Sequence, residues 1–117
     1  MTGINDHGRV VGFRSDHGSP DSGFLLNLAT GHLTTLTAPG ADSTQAFGIN
    51  NKGEVVGAYT IGTGVFGFTW TAADGFQTVT ELHGPRFTVV DGVNDAGDLV
   101  GAYIGGQGHV NGFLATR

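Results

Sequence analysis

The chain has 117 residues, enough for one compact core, and its formal net charge is −5 at pH 7 with only five Lys and Arg. This charge excludes the basic surface of a nucleic-acid binder, and the absence of cysteine excludes disulfides and thiolate metal sites. Twenty-two glycines against three prolines, with 13% charged residues, favour many tight turns between short strands over disorder.

Three copies of one motif divide the chain, at residues 3–13, 48–59 and 92–103. Each begins with Gly-Ile or Gly-Val, continues through Asn, two polar or small residues and Gly, and ends in a charged residue, an apolar pair and a second Gly. The first glycines are 45 and 44 residues apart, a period typical of repeat architectures. We therefore expect one domain over residues 1–117, made of the following repeat units: 3–47, 48–91 and an incomplete 92–117.

The Asn and the first following Gly of each motif predict a type I turn. Its last residue takes the left-handed conformation that glycine reaches without strain. Such turns close short β-hairpins through a glycine bulge. The structural turn residues assigned in this way are Asn5, Gly8, Asn50, Gly53, Asn94 and Gly97.

Further strand patterns follow each hairpin. In the first unit they are 23–26 and 32–36, and in the second 67–70 and 76–80, whereas the third unit has 112–115 and no fourth strand, which makes eleven short strands. Phe24, Phe68 and Phe113 occupy the same place in the three units. We expect each of them to be a core residue.

Four short strands per unit of about 44 residues favour an all-β fold of β-propeller blades. A β-sandwich or a β-prism of tandem hairpins satisfies the same pattern and stays an alternative. Because fewer than three complete blades cannot surround a propeller axis, we expect a homo-oligomer. A dimer is favoured, since two chains together supply about six blades.

The motif copies resemble a known family. Together with the segment 38–41 (Ala-Pro-Gly-Ala) and the later Gly-Phe segments, they are similar to the bacterial extracellular HAF repeat over nearly the whole chain. The His-Ala-Phe tripeptide of that family reads Ser-Gly-Phe at 22–24, Phe-Gly-Phe at 66–68 and Asn-Gly-Phe at 111–113, so only the Phe is shared. The resemblance implies a secreted or surface β-rich repeat protein and supplies no catalytic residues.

Patterns of catalysis and cofactor binding are weak. Residues 62–67 have the spacing of a dinucleotide-binding glycine loop, but a strand pattern follows where a helix should begin. Ser15, Asp16 and His17 are the side chains of a hydrolase triad, yet triads are assembled from separate segments and no Gly-x-Ser-x-Gly occurs. We expect no enzyme activity and no cofactor.

Metal binding is equally weak in the sequence. The Asn-Asp pairs at 5–6 and 94–95, with Asp98 nearby, suggest calcium, but the middle copy reads Asn-Asn-Lys at 50–52, with a cation where a ligand would be needed, and a turn explains all three copies. The five histidines, His7, His17, His32, His83 and His109, share no repeat position and lack zinc spacing. We expect no metal site.

Aromatic side chains are the best candidates for ligand binding. Tyr59 and Tyr103 share a repeat position with Arg14, and Trp70 lies beside Phe68. They either pack between units or stack on a carbohydrate or another surface ligand. We therefore expect a non-enzymatic binding or interaction module, with a structural, self-assembling repeat protein as the alternative.

Two patterns bear on location. No apolar run is long enough to span a bilayer, and the N-terminus lacks the charged start and apolar run of a signal peptide. We expect no membrane span and no export signal in this chain. An extracellular or cell-surface location is implied by the resemblance alone.

Overall fold

A computed structural model gives the fold and describes residues 2–14, 21–62, 64–79, 87–104 and 110–115. The described residues form strands and no helix, which confirms the predicted all-β class. None of them belongs to a helix that is long and apolar enough to cross a membrane. The strands are β1 (Gly3–Ile4), β2 (Arg9–Arg14), β3 (Ser22–Asn27), β4 (Leu33–Leu36), β5 (Ser43–Ile49), β6 (Val55–Ile61), β7 (Gly64–Thr71), β8 (Gly75–Val79), β9 (Phe87–Val93), β10 (Leu99–Ile104) and β11 (Val110–Ala115).

The strands follow one another as three antiparallel meanders. Unit 1 is β1 to β4 and unit 2 is β5 to β8, each with neighbouring strands paired in chain order, and unit 3 is β9 to β11. One parallel bridge between Val65 and Phe87 joins unit 2 to unit 3, which gives a four-stranded and a seven-stranded sheet. A similar contact joins unit 1 to unit 2, because the Thr44 N–H donates to the Asp21 carbonyl at 2.9 Å.

The units begin earlier than the sequence boundaries at 48 and 92, which fall inside β5 and β9. The motif glycines Gly48 and Gly92 lie near the ends of these strands, each directly after a register shift that leaves Phe47 or Asp91 without a partner. Such a shift is a β-bulge, which bends the strand toward its turn. The repeated motif therefore marks the hairpin turn, whereas the hydrogen-bonded unit starts five residues before each of these glycines, at Ser43 and Phe87.

Alternation of side chains gives each unit two faces. The forward face of each unit points toward the next unit and carries Val11, Val56 or Val100. The rear face points toward the preceding unit and carries Val10, Val55 or Leu99.

The apolar cores lie between units. The forward face of unit 1 and the rear face of unit 2 share one core, in which Val11 contacts the cluster containing Val55 and Phe68. The next pair of faces shares a second core around Val56 and Leu99. Because each core needs two units, one unit alone cannot bury its apolar faces.

Candidate interaction site: stacked turns and end faces

The central hairpin turn is held by a single asparagine side chain. Asn50 Oδ1 accepts hydrogen bonds from the backbone N–H groups of Lys52 at 3.0 Å and Glu54 at 2.9 Å. The Gly53 N–H closes the turn by donating to the Asn50 carbonyl at 3.2 Å. Asparagine suits this position because its amide oxygen can accept hydrogen bonds from its own turn while its amide nitrogen donates a hydrogen bond elsewhere.

The other two copies form the same turn. Asn5 Oδ1 accepts from the His7 and Arg9 N–H groups at 3.0 and 2.9 Å, and Asn94 Oδ1 accepts from the Asp98 N–H at 2.9 Å. The turn glycines have φ values of +73°, +83° and +89°, in the left-handed region that the turn pattern predicts: Gly8, Gly53 and Gly97.

The three asparagines also join the units, in what we call the inner row. Asn5 Nδ2 donates to the Asn50 carbonyl at 3.1 Å, and Asn50 Nδ2 donates to the Asn94 carbonyl at 3.0 Å. Asn94 Nδ2 donates instead to Asp98 Oδ2 in its own turn, at 3.2 Å. Asn5 and Asn50 are buried, whereas Asn94 is exposed because no described unit follows it.

A second set of bonds, the outer row, runs through the next residue of each turn. The Asp6 N–H donates to Asn51 Oδ1 at 2.7 Å, and the Asn51 N–H donates to Asp95 Oδ1 at 2.8 Å. Asn51 Nδ2 donates to both carboxylates, at 3.0 Å to Asp6 Oδ2 and 2.9 Å to Asp95 Oδ2. One amide thus bridges two carboxylates, and the three turns are tied into a stack.

This arrangement lowers the pKa of Asp95. The backbone N–H of Asn51 contributes most to the lowered pKa and its side-chain amide contributes next; desolvation opposes them, and the charges of Lys52 and His7 add smaller lowering contributions. Asp95 is exposed and ionised at neutral pH. The outer row therefore presents a carboxylate at its unit 3 end, with nothing described beyond it.

The predicted ligand-binding residues make packing contacts in unit 2. The Tyr59 ring stacks on Phe66 with centroids 5.5 Å apart, and its hydroxyl lies 2.6 Å from Thr78 Oγ1. Trp70 packs against the core between units 1 and 2, beside Phe76 at 6.5 Å. Trp70 pairs with Val55, four residues from Tyr59 along β6, so the backbone positions of Tyr59 and Trp70 lie roughly 13 Å apart along the strand direction.

Arg14 and Tyr103 lie in the flanking units. Arg14 is exposed at the end of β2, and Tyr103 is half-buried near Phe113 with centroids 6.4 Å apart. The four candidate residues therefore do not converge on one pocket. Their contacts favour the packing interpretation for Tyr59 and Trp70.

The glycine pattern of residues 62–67 overlaps a strand, because Gly64 begins β7, whereas a dinucleotide site needs a helix there. Ser15, Asp16, His17, His83 and His109 lie outside the described residues. Within the described part of the chain, no cluster of three or more His, Asp or Glu side chains could hold a metal ion.

The two outward faces of the described structure carry exposed apolar side chains, whereas the equivalent side chains on the internal faces are buried. On the forward faces, Val11 and Val56 are fully buried, but the equivalent Val100 is 47% exposed and the neighbouring Leu114 is 67% exposed. On the rear faces, Ile49 is buried, but its equivalent Ile4 is 58% exposed. We call these surfaces the forward end face of unit 3 and the rear end face of unit 1.

The rear end face carries an aliphatic row across all four strands of unit 1. Val10 is buried and Leu26 half-buried, while Leu33 joins Ile4 as an exposed member. The same row in unit 2 is the one that packs into the first core. The row consists of residues that pair with one another across the four strands: Ile4, Val10, Leu26 and Leu33.

Sequence reasoning missed the outer row and the end faces. Residues 6, 51 and 95 read Asp, Asn, Asp at one repeat position, and this alternation of acceptor and donor side chains was a signal for contact between units. Val100 and Ile4 match the buried valines and Ile49 of the other copies, so their exposure depends on which units have neighbours. A sequence pattern does not contain that information.

Comparison with protein families, with curated proteins and with solved structures finds no match to this chain. The resemblance to the HAF repeat, and the extracellular location that it implies, stay predictions.

Proposed function

We propose that the chain is a non-enzymatic structural module that assembles by docking repeat units face to face. The observation that carries this proposal is the repeated internal junction. Units 1 and 2, and units 2 and 3, meet through the same combination of an apolar core and the bonded turns. The two halves of that junction recur, without a partner unit, at the ends of the described structure.

The packing of the aromatic candidates supports assembly over recognition of a carbohydrate. A stacking platform for a sugar needs an accessible ring face. Phe66 stacks on the Tyr59 ring, and Tyr59 and Trp70 both pack against the first core. Glycan or surface-ligand binding stays the prediction made from the sequence.

Propeller blades are the architecture that best suits this function. The first strands of the units lie against one another at glycines: a Cβ placed on Gly3 would lie 3.1 Å from Gly48 Cα, and one on Gly48 would lie 3.4 Å from Gly92 Cα. Blades likewise place their inner strands together around a shared axis. We propose that each four-stranded unit is a blade.

Two measurements test the function. Light scattering at micromolar to millimolar protein should show oligomers, and a broad glycan array should show no saturable binding. A chain that stays monomeric over this range while binding one glycan class specifically would overturn the proposal in favour of a recognition module.

A further inference from the structure

We propose that the forward end face of unit 3 docks on the rear end face of unit 1 of a second copy of this chain, head to tail. The inference rests on the proposed function and adds the partner, the surfaces and their polarity. The two junctions inside the chain serve as its template. Each joins a forward face to the rear face of the next unit, and the two end faces have the same orientation.

The apolar part of the junction is complementary. Inside the chain, Val11 is fully buried against the rear face that contains Ile49 and Val55. In the docked pair, Val100 takes the place of Val11, and Ile4 of the second copy takes the place of Ile49. Burial of such side chains supplies the non-directional part of the attraction.

Backbone shape is complementary as well. Gly3 and Gly48 allow neighbouring first strands to approach so closely that a side chain would meet the next backbone. Gly92 has the same position, yet among the described residues a Cβ built on it would meet only Val100 Cγ2 of its own unit, at 3.2 Å. The open side of Gly92 therefore has room for Gly3 of the second copy.

The inner row supplies direction. Each buried asparagine donates from Nδ2 to the carbonyl of the next one, and Asn94 is the last donor of the described series. An amide has two N–H groups, so Asn94 can keep its bond to Asp98 and donate to the Asn5 carbonyl of the second copy. A symmetric pairing of two forward faces would instead set donor against donor.

The outer row limits the strength of this junction. Docking brings Asp95 next to Asp6 of the second copy, so two carboxylates meet where the internal junctions pair a carboxylate with Asn51. Like charges in contact oppose association. An asparagine at position 6 of the second copy could donate to Asp95, as Asn51 donates to Asp6 and Asp95 inside the chain. Asp6→Asn should therefore strengthen the junction.

The first experiment compares dissociation constants by sedimentation equilibrium on the full chain. Val100→Asp should weaken association at least about tenfold, because it places a charge in the apolar contact. Ile61→Asp is the matched control: Ile61 is 45% exposed, as Val100 is at 47%, but lies at the far tip of β6 in unit 2. It should leave association unchanged.

Two further measurements distinguish the loss of the junction from misfolding of a variant. Asp6→Asn should tighten association by about tenfold, a gain that loss of structure cannot produce. Val100→Asp keeps an intact rear end face and Ile4→Asp keeps an intact forward end face. When mixed, the two variants should therefore form a dimer that neither forms alone.

The outcomes separate this inference from the proposed function. If the parent chain oligomerises but neither Val100→Asp nor Asp6→Asn alters the constant, the head-to-tail junction is wrong while assembly through another surface stands. Failure of the mixed variants to pair also overturns the head-to-tail polarity. A parent chain that stays monomeric up to millimolar concentration overturns both proposals.

Discussion

One asparagine in each of units 1 and 2 performs two tasks at once in this molecule. Its Oδ1 satisfies N–H groups of its own turn, and its Nδ2 reaches the next unit, as Asn50 does with Lys52, Glu54 and Asn94. Aspartate could accept the first bonds, but it has no donor for the second and would bring a charge into a buried place. This explains why position 50 and its equivalents share Asn, whereas the exposed position beside them varies.

The burial of these asparagines predicts unequal effects of removing them. Asn50→Ala leaves two backbone N–H groups and one carbonyl without their partner, and should lower the free energy of unfolding by about 2–4 kcal/mol. Asn94→Ala is the matched control, because water can replace the amide at this exposed site, and should cost about 1 kcal/mol or less. Urea denaturation of dilute protein measures both. Equal losses would show that the inner row does not stabilise the stack.

Asp95 predicts how acid affects stability. Its pKa is lowered from 3.8 in the folded chain, chiefly by the Asn51 backbone N–H and then by the Asn51 amide. A carboxyl with a lowered pKa contributes stability that is present above its unfolded pKa and is lost as the pH falls through the folded pKa. As the pH falls through 3.8 and below, the parent should therefore lose stability more steeply than Asp95→Asn. Parallel melting-temperature profiles for the two proteins would contradict this role.

At the scale of strands, the hairpins could be predicted because their cause is local. Asn followed three residues later by Gly specifies a turn with φ > 0, and Gly53 at +83° has that conformation. The starts of β5 and β9 could not be predicted in the same way. They depend on pairing with distant strands and on bulges at Phe47 and Asp91, for which the motif contains no distinct signal.

The three equivalent phenylalanines show the same limit. Phe24, Phe68 and Phe113 each lie opposite a glycine of the preceding strand, so their equivalence in position is present in the structure. Their burial differs: Phe68 is fully buried beside Phe76 of β8, whereas Phe24 lies on the rear end face and Phe113 has no described fourth strand beside it, and both are half-buried. Position in a repeat predicts orientation, but burial depends on neighbours.

The stability lost when these rings are truncated should follow their burial rather than their repeat position. Phe68→Ala removes a ring from the first core and should cost about 3–5 kcal/mol, enough to unfold much of the protein at room temperature. Phe113→Ala removes a half-buried ring and should cost clearly less. Circular dichroism and thermal melting compare the two. An unchanged melting temperature for Phe68→Ala would mean that the first core is not as tightly packed as its burial indicates.

At the scale of the whole molecule, the period of the sequence predicted the number of units but not how they are held together. The inner and outer rows connect residues 44 or 45 positions apart. Each Asn is already explained by its own turn, and Asp6 and Asp95 are ordinary turn residues. The alternation of Asp, Asn and Asp at this repeat position was a signal of contact between units, but the positions of the units in space were needed to show that Asn51 donates to both carboxylates.

A head-to-tail junction either closes into a ring or continues as an open array. Two chains with nearly three blades each supply about six, within the usual range of four to eight blades, so we expect a closed dimer with two identical junctions. Closure satisfies all end faces at once, and the mass should then stay at 24.0 kDa, twice the 12.0 kDa of one chain, as concentration rises above the dissociation constant. Light scattering across a hundredfold concentration range measures this. A mass that keeps growing would show an open array, and a stable folded monomer of 12.0 kDa would exclude the ring and favour a self-contained sandwich or prism.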